Sequence, residues 1–378
     1  MKFFHLSDLH LGKRVNGFSM LEDQKYILDQ ILALAEDERP DAVLIAGDLY
    51  DKPVPPAEAV SLLDAFLGEL VRRDIRVLAI SGNHDSAERI AFGSGLMHGS
   101  GVYFAPVYHG RVEPVALEDE WGTVHVYMLP FIKPVHVRAC FPEEETGSYT
   151  DAVRTAIAHM AVDRSQRNIL VTHQFVAGGL TCDSEEITVG GTDQVDVSVF
   201  EPFDYTALGH LHGPQHIGGE RVRYCGTPLK YSFSEVRHHK SVTVVQLAQK
   251  GEISVRTLPL TPLREMAELR GAYSRLVERS FYRELDTQCY FHVTLTDEED
   301  VPEAINRLRA IYPNIMRLDY DNARTRGGGT LLPAEQVQPQ SPGELFAAFY
   351  RQQNNRELTG EQQDCLSELI EKIWEGDV

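Results

Sequence analysis

Apolar and polar positions in the first half of the chain follow two alternating patterns. Short apolar runs rich in β-branched residues predict buried strands, and longer stretches with apolar residues every three or four positions predict helices. The strands predicted in this way lie at residues 2–6, 42–46, 75–81, 124–129 and 168–172. The helices are predicted from residue 21 to 35, from about residue 56, and over 151–162. This order of elements is typical of an α/β fold.

The pattern changes in the second half. Strands predicted at 205–208, 221–224, 241–247 and 253–258 lie closer together, and a small α+β module follows, with a strand at 288–295, a helix at 301–311 and a strand at 315–320. A stretch containing Pro and Gln then predicts a linker. We therefore expect four parts, at residues 1–263, 264–325, 326–340 (the linker) and 341–378.

The last part is predicted to contain two amphipathic helices. The segments SPGE from residue 341 and TGEQ from residue 359 have the spacing of a capping box, which marks a helix start. The apolar positions of the two helices are Leu345, Phe346 and Phe349 in the first, and Leu366, Leu369, Ile370, Ile373 and Trp374 in the second. Two helices of this length cannot bury these side chains between themselves. We therefore expect the side chains to pack on the rest of the chain or on a partner.

Composition excludes several classes of protein. The 378 residues contain 36 Lys and Arg against 56 Asp and Glu, a formal net charge of −20 that argues against a protein coating nucleic acid non-specifically. A nucleic-acid enzyme stays open, because metal ions and local basic patches offset the repulsion. No apolar run reaches the roughly 20 residues of a membrane helix, and the N-terminus lacks a signal-peptide pattern. Five cysteines without a CxxC pair indicate reduced thiols in a cytoplasmic protein.

Carboxylates, histidines and one amide follow five of the predicted strands. In open α/β sheets, ligands bind beyond the carboxyl ends of the strands, so these side chains can converge. Imidazole, carboxylate and amide donors together suit a pair of divalent cations, with Mn²⁺ or Fe²⁺ favoured over Mg²⁺. The strand-end residues are Asp8 and His10, Asp48, Asn83 and His84, His173, and His210 and His212.

Each of these pieces has an ordinary structural reading. An isolated Asp-x-His is usually a polar loop, a Gly-Asp after a strand is usually a turn, and Asn83 or Asp85 could cap a helix. Five such pieces in order, each at a strand end, favour a metal site instead.

At this level the sequence resembles the calcineurin-like metallophosphoesterases. The five strand-end motifs match that family, and the segments SDLHLGKR, AGDLYDKPVPP, SGNHDS, GHLHGPQ and YCGTPLKYSFSE resemble its SbcD-type members, the nuclease subunits of bacterial SbcC–SbcD complexes. The resemblance covers residues 1 to about 260 well, the middle module loosely, and the terminal helices by position and character. It implies a β-sandwich flanked by helices, a small α+β capping domain and a two-helix tail.

The resemblance also implies a role for each site residue. Asp48 would bridge two cations and His84 would contact the scissile phosphate and protonate the leaving oxygen, with the Asp51 carboxylate orienting His84. The implied ligands of one cation are Asp8, His10 and His212, and those of the other are Asn83, His173 and His210.

The implied activity is metal-dependent hydrolysis of DNA phosphodiester bonds. SbcD-type enzymes are ATP-assisted 3′→5′ exonucleases on duplex ends and endonucleases on single strands and hairpins, with roles in DNA repair, replication and recombination. The resemblance implies two divalent cations, with Mn²⁺ as first choice and Mg²⁺ or Fe²⁺ as alternatives. It also implies a homodimer within a heterotetramer, no membrane, and docking of the tail on an SbcC-like coiled-coil ATPase.

Basic residues near the motifs have two open interpretations. Residues 205–256 are locally basic in an acidic chain, and they provide contacts to the DNA backbone or simply a solvated face. The candidate DNA-binding residues are Lys13, Arg14, Arg221, Arg223 and Lys230.

Two other functions compete with a nuclease. A phosphatase or cyclic phosphodiesterase could use the same metal core, although the segment LYDKP after Asp48 lacks the Asp-Arg-Gly that protein phosphatases place there. A non-catalytic scaffold would not require a complete ligand set together with His84. Cleavage of a DNA hairpin compared with hydrolysis of a phosphomonoester discriminates among these functions.

Overall fold

The computed structural model describes residues 1–185, 193–326, 342–354 and 356–374. The chain divides into two compact units, Met1–Glu265 and Met266–Val378. The second unit therefore contains both the predicted module (264–325) and the predicted tail (341–378). The first two residues of the module belong to the first unit. Of the predicted linker, only residue 326 falls within the described ranges.

The first unit contains short strands and mostly short helices. Its strands are β1 (Lys2–Leu6), β2 (Arg14–Val15), β3 (Phe18–Ser19), β4 (Ala42–Ala46), β5 (Arg76–Ile80), β6 (Val102–Ala105), β7 (Val115–Asp119), β8 (Gly122–Leu129), β9 (Arg167–His173), β10 (Tyr205–Gly209), β11 (Gln215–His216), β12 (Val222–Tyr224), β13 (Ser241–Leu247) and β14 (Ile253–Pro259). Its helices are α1 (Leu21–Glu38), α2 (Ala57–Arg72), α3 (Ala87–Ala91), α4 (Ser94–Met97), α5 (Pro134–Cys140) and α6 (Tyr149–Ala158).

Two six-stranded sheets form the β-sandwich of the described part of this unit. One has the order β14-β13-β1-β4-β5-β6 and the other β11-β12-β10-β9-β8-β7. Alternate residues of a strand face opposite sides of its sheet, so Ala42, Leu44 and Ala46 of β4 enter the core between the sheets together with Ile169 and Val171 of β9. This sandwich is the architecture implied by the family resemblance.

Parallel pairing determines where the functional loops emerge. β1, β4 and β5 are parallel neighbours in the first sheet, and β8, β9 and β10 are parallel neighbours in the second. The loops that follow β1, β4, β5, β9 and β10 carry the candidate residues of the metal centre, and side-chain distances show that these loops meet.

The second unit has a three-stranded parallel sheet in its described part, ordered β15 (Met266–Gly271), β16 (Tyr290–Leu295) and β17 (Ile315–Tyr320). Its helices are α7 (Tyr273–Leu276), α8 (Arg279–Tyr282), α9 (Ala304–Arg309), α10 (Ala323–Arg326), α11 (Pro342–Asn354) and α12 (Gly360–Trp374). Phe291, Val293 and Leu295 of β16 form a core with Leu308 and Tyr312.

The two terminal helices leave apolar side chains in solvent. Leu345, Phe346 and Phe349 of α11 and Leu369 of α12 are 48%, 46%, 57% and 50% exposed. Thr359 and Gln362 exchange the two hydrogen bonds of a capping box at the start of α12, as the sequence predicts. Ser341 and the side chains of Ile373 and Trp374 lie outside the described part of the structure.

Among helices of the described residues, none combines the length and apolar character required to cross a bilayer.

Candidate metal centre

The loops that carry the candidate ligands are joined to one another by main-chain hydrogen bonds. The N–H of Asp8 donates to the carbonyl of Gly47, and the N–H of His10 donates to the carbonyl of Asp48, both at 3.0 Å. The Asp85 carboxylate accepts the N–H groups of Leu49 and Gly82, which ties the loop after β4 to the loop after β5. The ligands therefore sit on a cross-braced set of loops.

Four candidate ligands have left-handed backbone conformations. Asp8, His10 and Asp48 have φ values of 52°, 44° and 50°, and His210 has φ 108°. Such conformations are uncommon for residues other than glycine and cost about 1–3 kcal/mol each. Their concentration at one site indicates that the backbone is held there to aim side chains, because unconstrained loops would relax.

The first donor group consists of Asp8, His10 and His212. All three are buried, and one ligand atom from each lies within 4.8 Å of the others. The Nε2 atoms of His10 and His212 are only 3.2 Å apart. Two imidazole nitrogens at this distance are close enough to bind one shared cation.

Asp48 lies between the two groups of ligands. Its Oδ2 atom is 3.6 Å from Nε2 of His10 and 3.4 Å from Nε2 of His173. A carboxylate in this position can contribute to both cation sites, as the resemblance implies for Asp48.

The second donor group consists of Asn83, His173 and His210. The amide oxygen of Asn83 is 3.0 Å from Nε2 of His173 and 3.0 Å from Nδ1 of His210. The amide therefore joins two imidazoles from neighbouring strands of the opposite sheet. All seven residues predicted as ligands lie within this double cluster.

Close main-chain packing at the site requires glycine at two positions. A Cβ atom on Gly82 would overlap the Asp48 carboxylate, and one on Gly209 would overlap the carbonyl oxygen of Ala46. Larger residues at either position would push the ligand loops apart.

Hydrogen bonds outside the clusters select the tautomers of two histidines. Nδ1 of His173 lies 2.8 Å from the carbonyl of Ala46, so it carries a proton and Nε2 is the nitrogen that faces the site. Nδ1 of His212 lies 2.7 Å from the hydroxyl of Ser184, which is itself 2.6 Å from the Glu235 carboxylate. Because the hydroxyl donates to the carboxylate, it accepts from Nδ1 of His212.

Sequence reasoning missed Ser184 and Glu235, which contact the candidate ligand His212 directly or through one hydroxyl. Glu235 is fully buried and forms an ion pair of 2.6 Å with Lys240, which holds the Glu235 pKa below its usual range against the opposing effect of burial. Glu235 is the last residue of the segment YCGTPLKYSFSE that carries the family resemblance, and its place in that segment was the available sequence signal. Ser184 carries no sequence signal of its own.

Burial and neighbouring charges shift the pKa values of several candidate ligands. Burial raises the pKa of Asp8 to about 7, and burial also lowers the pKa of His210 to about 3. For His173, burial lowers the pKa but attraction to Asp48 outweighs it, so the pKa rises to about 9. Asp8 and His173 thus retain protons near neutral pH that divalent cations would displace, and the donor set fits such cations.

His84 lies beside the clusters with one nitrogen engaged. Its main-chain N–H donates to Oδ1 of Asp48 at 2.9 Å, and its ring nitrogen Nδ1 is 3.1 Å from the main-chain carbonyl of Asp51. Nδ1 therefore carries a proton, and Nε2 is available to a substrate. His84 is partly exposed, unlike the predicted histidine ligands, which are buried.

The contact between Asp51 and His84 differs from the expectation. The resemblance assigned the orienting role to the Asp51 carboxylate, but in the structure the carbonyl accepts from His84. The carboxylate instead pairs with Lys13 at 2.6 Å and lies 3.8 Å from Nδ1 of His10. Lys13 stands close enough to attract that carboxylate away from His84.

The five candidate DNA-binding residues have different surroundings. Lys13 pairs with Asp51, and Lys230 pairs with Glu265 at 2.6 Å, so both charges are engaged within the protein. Arg223 is half-buried and donates to the Thr243 hydroxyl at 3.3 Å. Arg14 and Arg221 are exposed.

Comparison with protein families identifies two matching regions. Residues 1–214 match the calcineurin-like phosphoesterase model, and residues 262–354 match a model described as the type 5 capsule protein repressor C-terminal domain, SbcD_C. The first match contains all seven predicted ligands and His84.

Comparison with individual proteins gives relatives of full length. The chain is 33% identical over 380 residues to the SbcD component of nuclease SbcCD from Staphylococcus epidermidis, covering 99% of each chain. It is 32% identical over 379 residues to the protein of the same name from Staphylococcus saprophyticus, covering 99% of this chain and 97% of the relative. A solved dimetal phosphatase from Danio rerio is 13% identical, with a TM-score of 0.39, covering 70% of this chain and 98% of that one.

Proposed function

Because this chain belongs to the calcineurin-like phosphoesterase family, we propose that it is a metal-dependent DNA nuclease of the SbcD type. The single observation that carries the proposal is the double donor cluster with Asp48 between its halves and His84 at its edge. The relatives of full length, which are named as the SbcD component of nuclease SbcCD, support the substrate assignment.

The residues of the site divide the work of phosphodiester hydrolysis. Asp8, His10, Asp48, Asn83, His173, His210 and His212 would hold two divalent cations, which would supply Lewis acidity for the attacking water and the phosphoryl oxygens. His84 delivers a proton from Nε2 to the departing sugar oxygen, while the Asp51 carbonyl holds Nδ1–H and fixes the ring. The hydrogen bond from the His84 main-chain N–H to Asp48 keeps this acid in register with the ligands.

We further propose the finer properties of SbcD-type enzymes for this chain. These are Mn²⁺ as the working cation, ATP-assisted 3′→5′ digestion of duplex ends, cleavage of single strands and hairpins, and action in the cytoplasm. The exposed apolar side chains of α11 and α12 support docking on an SbcC-like coiled-coil ATPase, and a homodimer would then lie within a heterotetramer.

The test compares His84→Ala with Asp48→Ala in the full chain. His84→Ala should retain nearly the normal cation content and lose hydrolysis of a DNA hairpin by at least about 100-fold, the usual contribution of a general acid. Asp48→Ala should lose both cations, as elemental analysis would show. A phosphomonoester serves as the comparison substrate.

Full hairpin cleavage by His84→Ala would contradict the assignment of the acid. A wild-type chain that hydrolyses the phosphomonoester but leaves the hairpin intact would instead identify a phosphatase.

A further inference from the structure

A cleft of about 620 Å³ opens beside the Asn83 side of the metal centre, within the first unit. Its walls come from the loop after β5, from the segment after β6, and from the segment between β8 and α5. The volume lies in the range of about 300–1,000 Å³ that is typical of small-ligand sites. None of the candidate functional residues predicted from the sequence, apart from Asn83, lines this cleft.

Phe131 gives the cleft a fixed aromatic wall. Its N–H donates to the carbonyl of Ser81 at 3.0 Å, which anchors it to the start of the loop that carries Asn83. Its ring lies 6.5 Å from the ring of His210 at an interplanar angle of 13°, and 6.2 Å from His173 edge-on. The ring is partly exposed, and Phe131 is one of the residues that line the cleft.

The polar groups of the cleft suit a nucleotide. The ammonium of Lys133 lies 5.9 Å from the centre of the Phe131 ring, and His136 lies on the same wall. An aromatic ring and a cation complement a base and a phosphate.

The acidic groups of the cleft do not cancel this character. The Asp85 carboxylate is turned to three main-chain N–H groups, those of Leu49, Tyr50 and Gly82. Glu88 lies on the exposed rim, with its carboxylate 3.4 Å from the Ser86 hydroxyl. Lys133 is thus the cation beside the aromatic wall, opposed only at the rim.

We propose that this cleft binds the nucleotide next to the scissile phosphate, with its base stacked on Phe131 and its neighbouring phosphate on Lys133. The proposal rests on the proposed nuclease function and adds a substrate requirement to it. A base must leave the duplex stack to reach Phe131, so the nucleotide beside the cut is unpaired when cleavage occurs. Frayed ends, hairpin loops and single strands supply such nucleotides directly.

The experiment changes the substrate and the protein separately and then together, using the full chain with Mn²⁺. A single-stranded oligonucleotide with one mapped cut is compared with two versions that carry an abasic residue on either side of that cut. In the wild type, loss of one of the two bases should lower kcat/KM about tenfold, the scale of a base–aromatic stack. Phe131→Leu should lower kcat/KM for the intact strand about tenfold and remove the effect of that abasic residue.

Matched variants separate stacking from general damage. The abasic ratio is kcat/KM for the intact strand divided by kcat/KM for the abasic strand. Phe131→Tyr should keep the wild-type ratio, because it keeps the aromatic ring. Phe92→Leu, at a phenylalanine that is 87% exposed and outside the cleft, should keep it as well. Lys133→Gln should reduce the slope of log KM against log salt by about 0.7, the value for one phosphate contact on a single strand. Lys25→Gln, at a lysine that is 65% exposed on α1, should leave that slope unchanged.

The outcomes distinguish this inference from the function on which it rests. A wild-type chain that cuts no DNA contradicts the nuclease assignment. Suppose instead that the wild-type chain cuts DNA, that Phe131→Leu responds to the abasic residues as the wild type does, and that Lys133→Gln has the wild-type salt slope. This result leaves the nuclease assignment intact and overturns the nucleotide cleft. If Phe131→Leu loses cations, the Lys133→Gln slope alone decides.

Discussion

At the scale of single residues, the site depends on which nitrogen of each histidine carries the proton. His212 can present Nε2 to the first cluster because Ser184 accepts its Nδ1–H, and Ser184 is itself directed by the ionised Glu235. Lys240 keeps Glu235 ionised in a buried place, so a charge pair outside the cluster determines the ligand's tautomer. Removing the Ser184 hydroxyl should therefore make the His212 ring less well oriented, although His212 itself is unchanged.

Ser184→Ala should therefore bind Mn²⁺ about 10–100-fold more weakly at one of two sites, the usual effect of losing a hydrogen bond behind a metal-bound histidine. Calorimetric titration of the metal-stripped chain measures this directly. Ser184→Thr keeps the hydroxyl and should retain most of the affinity. Ser165→Ala removes an exposed hydroxyl that contacts Asp163 and serves as the control. Equal affinities in all three variants would show that Ser184 does not position His212.

Cation binding should also depend strongly on pH. Burial raises the pKa of Asp8 to about 7, and the pKa of His173 is raised to about 9. Each residue must lose a proton before it can bind a cation. Protons therefore compete with the cation below these values, and affinity rises with pH. We expect the affinity to rise steeply below about pH 7, where both protons compete with the cation, and by up to about tenfold per pH unit between about pH 7 and 9, where the His173 proton alone competes. An affinity that stays flat over this range would contradict the protonated state of the free site.

At the scale of elements, much of the site is predictable because strand ends are predictable. Apolar runs locate β1, β4, β5, β9 and β10, and a polar residue after each one has to lie at the carboxyl edge of its sheet. Hydrogen-bond partners from distant segments are not predictable in this way, since nothing near His212 in the sequence indicates Ser184. The Asp51 carbonyl is likewise invisible to residue-type reasoning, because any residue there would supply it.

The apolar pattern of the sequence does not predict β2, β3, β6, β7, β11 or β15, and two of these strands have a clear local reason. β15 reads MAELRG, in which Met266 and Leu269 are buried but Glu268 and Arg270 interrupt a period of two. β6 has only four residues and follows a glycine-rich segment. Both strands are formed through pairing with a neighbour rather than through their own apolar pattern.

The exposed side chains of α11 and α12 lead to a prediction for the tail. Phe346→Ser together with Phe349→Ser should abolish capture of an SbcC-like ATPase, because two half-exposed aromatic side chains are lost from the docking surface. Cleavage of single-stranded DNA by the chain alone should persist. Gln353→Ser, at an exposed polar position of the same helix, is the control. Undiminished capture by the double variant would show that the tail docks elsewhere.

At the scale of the whole molecule, the net charge of −20 is compatible with a DNA enzyme. Part of it belongs to the candidate ligands Asp8 and Asp48, and two divalent cations would offset it where the substrate phosphate would lie. Lys13 and Lys230 are already paired with carboxylates, so two of the five candidate DNA-binding residues are engaged within the protein. Firm binding of duplex DNA is then expected to need the ATPase partner.

The most direct test of the central claim is a Mn²⁺ titration of the metal-stripped chain, with bound cation and cleavage of a single-stranded oligonucleotide measured in the same samples. Two donor groups that share Asp48 predict that cleavage follows the doubly loaded fraction, so that it lags behind bound cation through the first equivalent and reaches its maximum as the second binds. Cleavage without any cation, or maximal cleavage at a single equivalent, would contradict a two-cation nuclease.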